Sequence, residues 1–352
     1  MNKLRVGILG ATGAVGQRFV QLLASHPWFE ITAVAASERS AGKTYREAVH
    51  WLGDTPIPES VASLEVQRAQ PPLPCDLVFS GLDSRVAGTV EKAFAESGYP
   101  VISNARNYRL VPEVPLLIPE VNPDHTALIE RQPWYATGGF IVTNPNCSTV
   151  GLVLALKPLY DAFGIEQVHV TTLQALSGAG YPGVSALDAL GNVIPYISGE
   201  EEKLATEPLK ILGALDASHA KVLPAPFTVS AQCTRVPVLD GHLECVSVKL
   251  KQSVSVRDVK EVFRTYVNPV AELPSSPEPL FQLFEEPFYP QPRLHVQAGN
   301  GMSVSIGRIR SCEVMDIKFV VLSHNTIRGA AGGAVLNAEL LRSQGRLLPY
   351  SA

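Results

Sequence analysis

Four glycines set between a strand pattern and a helix pattern constrain this chain more than any other feature. Gly7-Ile8-Leu9-Gly10-Ala11-Thr12-Gly13-Ala14-Val15-Gly16 starts inside the apolar β-type run Leu4 to Leu9 and leads into a helical pattern over Gln17 to Ala24. A strand, a glycine turn and a helix in that order present free N–H groups and the positive end of a helix dipole, which together favour a pyrophosphate. The spacing GxxGxxG departs from the strict GxGxxG fingerprint, so the reading rests on the βα context more than on the string. The next strand candidate, Ile31 to Ala36, ends where a dinucleotide site places its ribose selector. There the chain reads Ser37-Glu38-Arg39-Ser40-Ala41-Gly42-Lys43. Two hydroxyls and a guanidinium suit a 2′-phosphate, which predicts NADP(H) as cofactor. Glu38 dissents, since turned inward it would grip a free ribose diol; it is expected to face outward.

Further strand candidates at Asp76 to Ser80 and from Val101, with a helix over Arg85 to Ser97, repeat the alternation. They predict a doubly wound, Rossmann-like parallel sheet in roughly the first 145 residues, with ligands at the carboxyl ends of its strands. After Cys147 the pattern changes. A helix candidate, Ser148 to Phe163, is followed by longer alternating strands at Val168 to Gln174, Leu243 to Lys251 and Val314 to Leu322. These predict an α+β domain built on a large, mostly antiparallel sheet with a free face for a partner subunit. Pro269 to Pro292 reads as a loop or arm because its prolines lack the N–H of a central strand, and Thr326 to Arg342 reads as a helix.

The length of 352 residues, with 46% hydrophobic and 18% charged residues, suits two folded domains. A net charge of −4 gives no positive field for nucleic acid or an anionic membrane, so a small molecule is the expected partner. No apolar run approaches the ~20 residues of a membrane span, and the glycine-broken N-terminus does not read as a signal peptide. Five cysteines, at 75, 147, 233, 245 and 312, are odd in number and contain no CxxC pair, which favours a reducing cytoplasm.

Asn144-Pro145-Asn146-Cys147-Ser148-Thr149 puts Cys147 at the first turn of a helix, where the dipole favours a reactive thiolate. The other four cysteines sit in or beside apolar strand patterns, as buried small hydrophobes do. His242, just before a strand, is the best-placed proton-transfer partner, and Arg235 seven residues earlier adds an anion fork. Whether that loop reaches Cys147 is not legible in the spacing. A zinc site of Cys233, His242 and Cys245 fails because strand alternation sends His242 and Cys245 to opposite faces, and no metal is expected.

The strings GATGAVG, SNARNYR, NPNCST, TLQALSGAGYPG, RVPVLDGH and NTIRGAAGGAVLNAELL together resemble aspartate-β-semialdehyde dehydrogenase, in the branch found in archaea and fungi. The resemblance covers nearly the whole chain. It implies a cofactor domain over 1–146, a catalytic and dimerisation domain over 147–325, and a C-terminal segment over 326–352 returning to the cofactor domain. The implied reaction is reversible, NADPH-dependent reductive dephosphorylation of L-4-aspartyl phosphate to L-aspartate 4-semialdehyde, serving lysine, threonine and methionine synthesis. Cys147 matches the nucleophile that forms a thioester, His242 the acid/base and Gln174 the active-site glutamine. Arg235 matches the carboxylate-binding arginine, Arg109 and Lys203 the phosphate-binding residues, and Glu200 the acidic residue near the substrate amino group. The run Glu200-Glu201-Glu202-Lys203 permits a register shift or a plain solvated helix face, and Arg106 can replace or assist Arg109. Gly10 and Thr12, Gly13, Ala14 and Val15 match the phosphate loop, Ser37, Arg39 and Ser40 the 2′-phosphate segment, and Ser177, Gly178 and Asn325 contacts to the cofactor. A homodimer or homotetramer follows from the same resemblance. Glu285 to Gln297 departs from the family pattern and receives no role. Malonyl-CoA reductase on the same scaffold is the alternative; an acetylglutamyl-phosphate reductase is disfavoured by Asn146 where that family has glycine. A silent NADP-binding redox sensor switched at Cys147 is the reading from another class.

Overall fold

The computed structural model describes residues 2–348. Its first sheet contains β1 (Leu4–Leu9), β2 (Phe29–Ala36), β3 (Val66–Arg68), β4 (Leu77–Ser80), β5 (Pro100–Ser103) and β6 (Phe140–Thr143), all parallel, in the order β3-β2-β1-β4-β5-β6. β4, β5 and β6 are buried at every position, as expected of parallel strands covered on both faces. α1 (Ala14–Leu23) packs Phe19, Val20 and Leu23 into one core, and α2 (Ser84–Glu96) puts Phe94 and Ala95 into the core on the other face. The order reverses at β1, so the crevice beyond its carboxyl end, where the glycine loop lies, is the topological switch point.

α3 (Cys147–Phe163) is buried along almost its whole length. It covers one face of a second sheet formed by β7 (Ile165–Gln174), β8 (Thr228–Arg235), β9 (His242–Leu250), β10 (Phe281–Phe284), β11 (Val304–Ser311) and β12 (Ile317–Ser323). α4 (Glu200–Ile211) lies in the connection between β7 and β8, and α5 (Val256–Arg264) in that between β9 and β10. The strand order is β8-β7-β9-β12-β11-β10. The three inner pairings are antiparallel, as expected of a mostly antiparallel sheet, while the two edge strands are parallel to their neighbours, β8 to β7 and β10 to β11. Alternation in sequence reports which face is covered, not strand direction, and the long α4 connection lets β8 return parallel.

Two expectations need correction. The proline-rich stretch is not wholly loop: β10 lies within it between Pro279 and Pro287. As an edge strand it pairs on one side only, and flanking prolines are tolerated there. The segment from Thr326 is not one α-helix either. A π-helical turn, Ile327–Ala331, precedes α6 (Gly332–Ser343). A Cβ on Gly329 would come within 2.8 Å of Cys147 Cα, so this wide turn lies directly against the cysteine. Val335, Leu336, Leu340 and Leu341 of α6 then join the first sheet's core beside α1.

Candidate active site

The segments that follow β1, β4, β5 and β6 and the carboxyl ends of β7 and β8 line one cleft of about 540 Å³. Its lining includes Ala14 and Val15, Arg106 and Arg109, Asn146 and Cys147, Gln174, Ser177 and Gly178, Glu200 and Lys203, Arg235, and Asn325. Cys147 is the first residue of α3. The preceding Asn146 caps that helix, its Oδ1 accepting from the N–H groups of Ser148 (3.0 Å) and Thr149 (3.4 Å).

His242 opens β9 and is completely buried. Its Nε2 lies 3.2 Å from Cys147 Sγ, so the loop whose reach the sequence left open does bring the pair together. The Ala175 N–H donates to Nδ1 at 3.0 Å. A backbone N–H only donates, so Nδ1 is the acceptor and a neutral imidazole carries its proton on Nε2, toward the sulfur. An imidazolium would oppose two N–H donors at Nδ1. Burial and the Arg235 charge push the His242 pKa down to about 3, with Glu200 opposing. The Cys147 thiol moves against the helix-dipole expectation: burial, then Glu200, push it up to about 12, while Arg109, Lys203 and Arg235 pull the other way.

Gln174 ends β7, its Oε1 accepting from Thr172 Oγ1 (3.1 Å) and its Nε2 donating to Glu200 Oε2 (3.1 Å). Asn146 Nδ2 donates to the same Glu200 oxygen at 2.8 Å, and Lys203 Nζ donates to Oε1 at 2.6 Å. Burial works to raise the Glu200 carboxyl, but Lys203, Asn146 and Gln174 together hold it below the usual carboxylate range. The EEEK run is therefore not a solvated face: Glu200 is buried and Glu202 is the exposed member. Arg235, at the end of β8, donates from Nη1 to Ala175 O at 2.6 Å. Arg109 is buried and donates to Glu207 Oε1 and Asn104 O, each at 2.9 Å, whereas Arg106 is exposed at the rim.

The glycine loop fits a dinucleotide. Gly10 has φ +75°, and a Cβ on Gly16 would stand 2.2 Å from Gly10 O. Gly13 caps α1 without a side-chain hydrogen bond, which leaves the N–H groups of the first turn, beside Thr12 and Ala14, to an anion. Ser37, Arg39 and Ser40 form the turn after β2, outside the catalytic cleft but next to the glycine loop, whose Gly10 and Ala11 N–H groups bond Ala35 O. Glu38 is exposed there and faces Arg68 at 4.0 Å. Asn325 donates to Ser177 Oγ (2.8 Å) and accepts from Gly241 N–H (2.9 Å), tying the C-terminal segment to the loop before His242. Cys233 is buried and Cys245 exposed, and their partners Thr172 and Thr171, successive residues of β7, put them on opposite faces of the sheet.

Two family descriptions match the chain: "Semialdehyde dehydrogenase, NAD binding domain" over residues 5–129 and "Semialdehyde dehydrogenase, dimerisation domain" over residues 156–328. The aspartate-semialdehyde dehydrogenase of Archaeoglobus fulgidus is 52% identical over 341 residues, which cover 96% of this chain and 97% of that protein. The chain belongs to the aspartate-semialdehyde dehydrogenase family. The family member from Candida albicans is 48% identical across 98% of this chain and 99% of that protein. A crystal structure of aspartate semialdehyde dehydrogenase with NADP from the same organism aligns with a TM-score of 0.91 at 47% identity, covering 97% of this chain and 99% of that one. The Vibrio cholerae aspartate semialdehyde dehydrogenase II complexed with ASA aligns at 0.78 and 28% identity, covering 97% and 99%.

Sequence reasoning about this family member missed the residues that hold the site from behind. Glu207 is buried and accepts from Arg109 and, at 2.6 Å, from the N–H of Asn146. Lys210 donates to the carbonyls of Arg109, Val111 and Val114, each at 2.8 Å. The signal was present: Glu200, Lys203, Glu207 and Lys210 recur at three- and four-residue spacing, one stripe of α4.

Proposed function

We propose that the protein catalyses the reversible, NADPH-dependent reductive dephosphorylation of L-4-aspartyl phosphate to L-aspartate 4-semialdehyde, in lysine, threonine and methionine biosynthesis. The observation that carries the reading is the 3.2 Å approach of Cys147 Sγ to His242 Nε2 in a cleft that also gathers four cationic side chains, in a chain of this family. The Cys147 sulfur attacks the acyl carbon, the S–C bond forms as the C–O bond to phosphate breaks, and the thiol proton departs on the inorganic phosphate. Arg109, Lys203 and Arg235 are the positive charges that favour the thiolate and receive the substrate's anionic groups. Arg235 is assigned to the α-carboxylate, Arg109 and Lys203 to the phosphate, and Glu200 to the ammonium. The nicotinamide supplies the hydride that reduces the acyl group. His242 donates a hydrogen bond from Nε2–H to the developing hemiacetal oxygen, and collapse of that oxygen to the aldehyde carbonyl breaks the C–S bond and expels the Cys147 sulfur, which takes a proton from solvent. Gln174 orients the groups around that oxygen.

The dinucleotide is assigned to Gly10, Thr12, Gly13, Ala14 and Val15 at its pyrophosphate, Ser37, Arg39 and Ser40 at its 2′-phosphate, and Ser177, Gly178 and Asn325 near the nicotinamide. A homodimer formed through the second sheet and a cytoplasmic location complete the reading.

The test is NADP reduction with L-aspartate 4-semialdehyde, with and without phosphate, beside malonate semialdehyde with and without coenzyme A. Phosphate-dependent turnover of the aspartate compound is expected. Coenzyme A-dependent turnover of the malonate compound would replace the reading with an acyl-CoA reductase.

A further inference from the structure

α4 turns toward the protein interior a stripe that is charged where a buried helix face is ordinarily apolar. Glu200, Glu207 and, between them, Leu204 are buried, and Lys203 and Lys210 are partly so. Burying carboxylates is costly unless each oxygen is paired, and these are. The pairing converges on one residue. Asn146 is gripped twice by α4, two helical turns apart: its side-chain Nδ2 donates to Glu200 at 2.8 Å and its backbone N–H donates to Glu207 at 2.6 Å. Glu200, by accepting from Nδ2, turns Oδ1 toward α3, where it caps the first turn and so sets the position of Cys147. Glu207 does more than hold the backbone. Its other oxygen accepts from Arg109 Nη1 at 2.9 Å, while Arg109 Nη2 is fixed on Asn104 O. Arg109 Nε is buried without a partner among the described residues, so the guanidinium keeps a donor in reserve.

We infer that Glu207 is a positioning residue that locks the phosphate-side cation Arg109 to the N-cap of the attacking cysteine, so that nucleophile and cation hold one fixed separation. The inference rests on the proposed reaction for the meaning of that separation, and on the structure alone for the lock. Only a carboxylate can accept from both donors at once. A glutamine at this position offers one carbonyl oxygen, and its NH2 must oppose either the Asn146 N–H or the guanidinium. An aspartate keeps the charge but is one methylene too short to span both. The two replacements therefore separate charge from reach.

The experiment compares wild type, Glu207→Gln, Glu207→Asp and, as a control on the exposed side of the same helix, Glu202→Gln. Each is assayed for kcat and for KM of phosphate and NADP with L-aspartate 4-semialdehyde, and for the pH midpoint of Cys147 alkylation by iodoacetamide. Glu207→Gln is expected to lower kcat roughly tenfold or more and raise the phosphate KM severalfold, while the NADP KM stays within about twofold. Its alkylation midpoint is expected to move to lower pH, because Arg109 loses its counter-charge and acts more strongly on the thiolate. Glu207→Asp is expected to lower kcat similarly with the midpoint near that of wild type, and it carries the test if the glutamine variant does not fold. Glu202→Gln is expected to match wild type throughout.

A folded Glu207→Asp with wild-type kcat and phosphate KM would overturn the inference. So would a Glu207→Gln variant whose phosphate and NADP KM values rise together with no change in midpoint, the pattern of general loosening. If wild type shows no phosphate-dependent turnover, the reaction reading fails. The alkylation midpoints still decide whether Glu207 governs the surroundings of Cys147.

Discussion

Cys147 and His242 are each neutral in the free protein, for reasons that reinforce one another. The sulfur is kept a thiol by burial, and the imidazole is kept neutral by burial, by Arg235 and by the Ala175 N–H that occupies Nδ1. A resting thiolate–imidazolium pair of the kind that a helix N-terminus would favour is therefore not the ground state here. Two consequences are measurable. Alkylation of Cys147 by iodoacetamide in the free enzyme should be slow at pH 7 and still rising well above the pH 9 of an ordinary thiol. His242→Asn should lower kcat by roughly 10² while leaving NADP affinity unchanged, since the ring contacts the sulfur and not the glycine loop. A plateau of alkylation below pH 8, or a His242→Asn enzyme with wild-type kcat, would refute this account of the pair.

At the scale of single elements, β9 carries the plainest conflict between sequence and burial. Its alternation sends His242, Glu244, Val246 and Val248 inward, and Glu244 is wholly buried opposite Thr172 and Val321. Neither of its oxygens has a hydrogen-bond partner among the described residues, and burial raises its pKa well above the ordinary 4.5. The folded chain keeps that proton where the unfolded chain has lost it. Stability should therefore fall as pH rises above about 4.5, by about 1.4 kcal/mol per pH unit. Glu244→Gln removes that dependence, so urea titrations at pH 5 and pH 7 should show the variant gaining on wild type with rising pH. Parallel curves would mean that Glu244 is ionised in the fold.

The same elements explain what was readable in advance. Parallel strands buried on both faces, such as β4 and β5, are legible because their apolar runs need no partner to be recognised, and Cys147 is legible because its cap residue, Asn146, adjoins it. The α4 stripe was not, because charge at helical spacing looks the same whether it faces water or a second carboxylate's partners 61 residues away, as Glu207 does with Asn146. Strand direction at the sheet edges was hidden for a related reason, since the alternation of β7 or β9 records a covered face and not which neighbour lies beside it. The π-helical turn was hidden because Gly329 is shaped by Cys147, far away in sequence.

Over the whole molecule, the cleft is built where the two large sheets meet, and the chain's last segment crosses between them. Asn144 at the end of β6 donates to Asn104 Oδ1 (2.9 Å) and Ala330 O (2.7 Å), and accepts from Asn337 of α6 (2.5 Å), so one side chain joins the first sheet, the π-helical turn and α6. The second sheet is finished on one face only. α3 covers Val170, Val246 and Phe319, while the opposite face shows half-buried Thr171, Leu173, Leu243, Ser247 and Val320 around an exposed Cys245. Cys245 pairs with Thr171 on one side and Val320 on the other, near the middle of the sheet. If this face closes the dimer that the family's dimerisation domain implies, a charge there must be buried without a partner, which costs several kcal/mol at an interface. Cys245→Glu should then shift the protein from dimer to monomer in sedimentation at micromolar concentration, with cleft residues unchanged in the fold. Cys245→Ser, which adds no charge, should remain a dimer. A Cys245→Glu protein that sediments as wild type would put the interface elsewhere, and would leave the uncovered face of the second sheet to another partner.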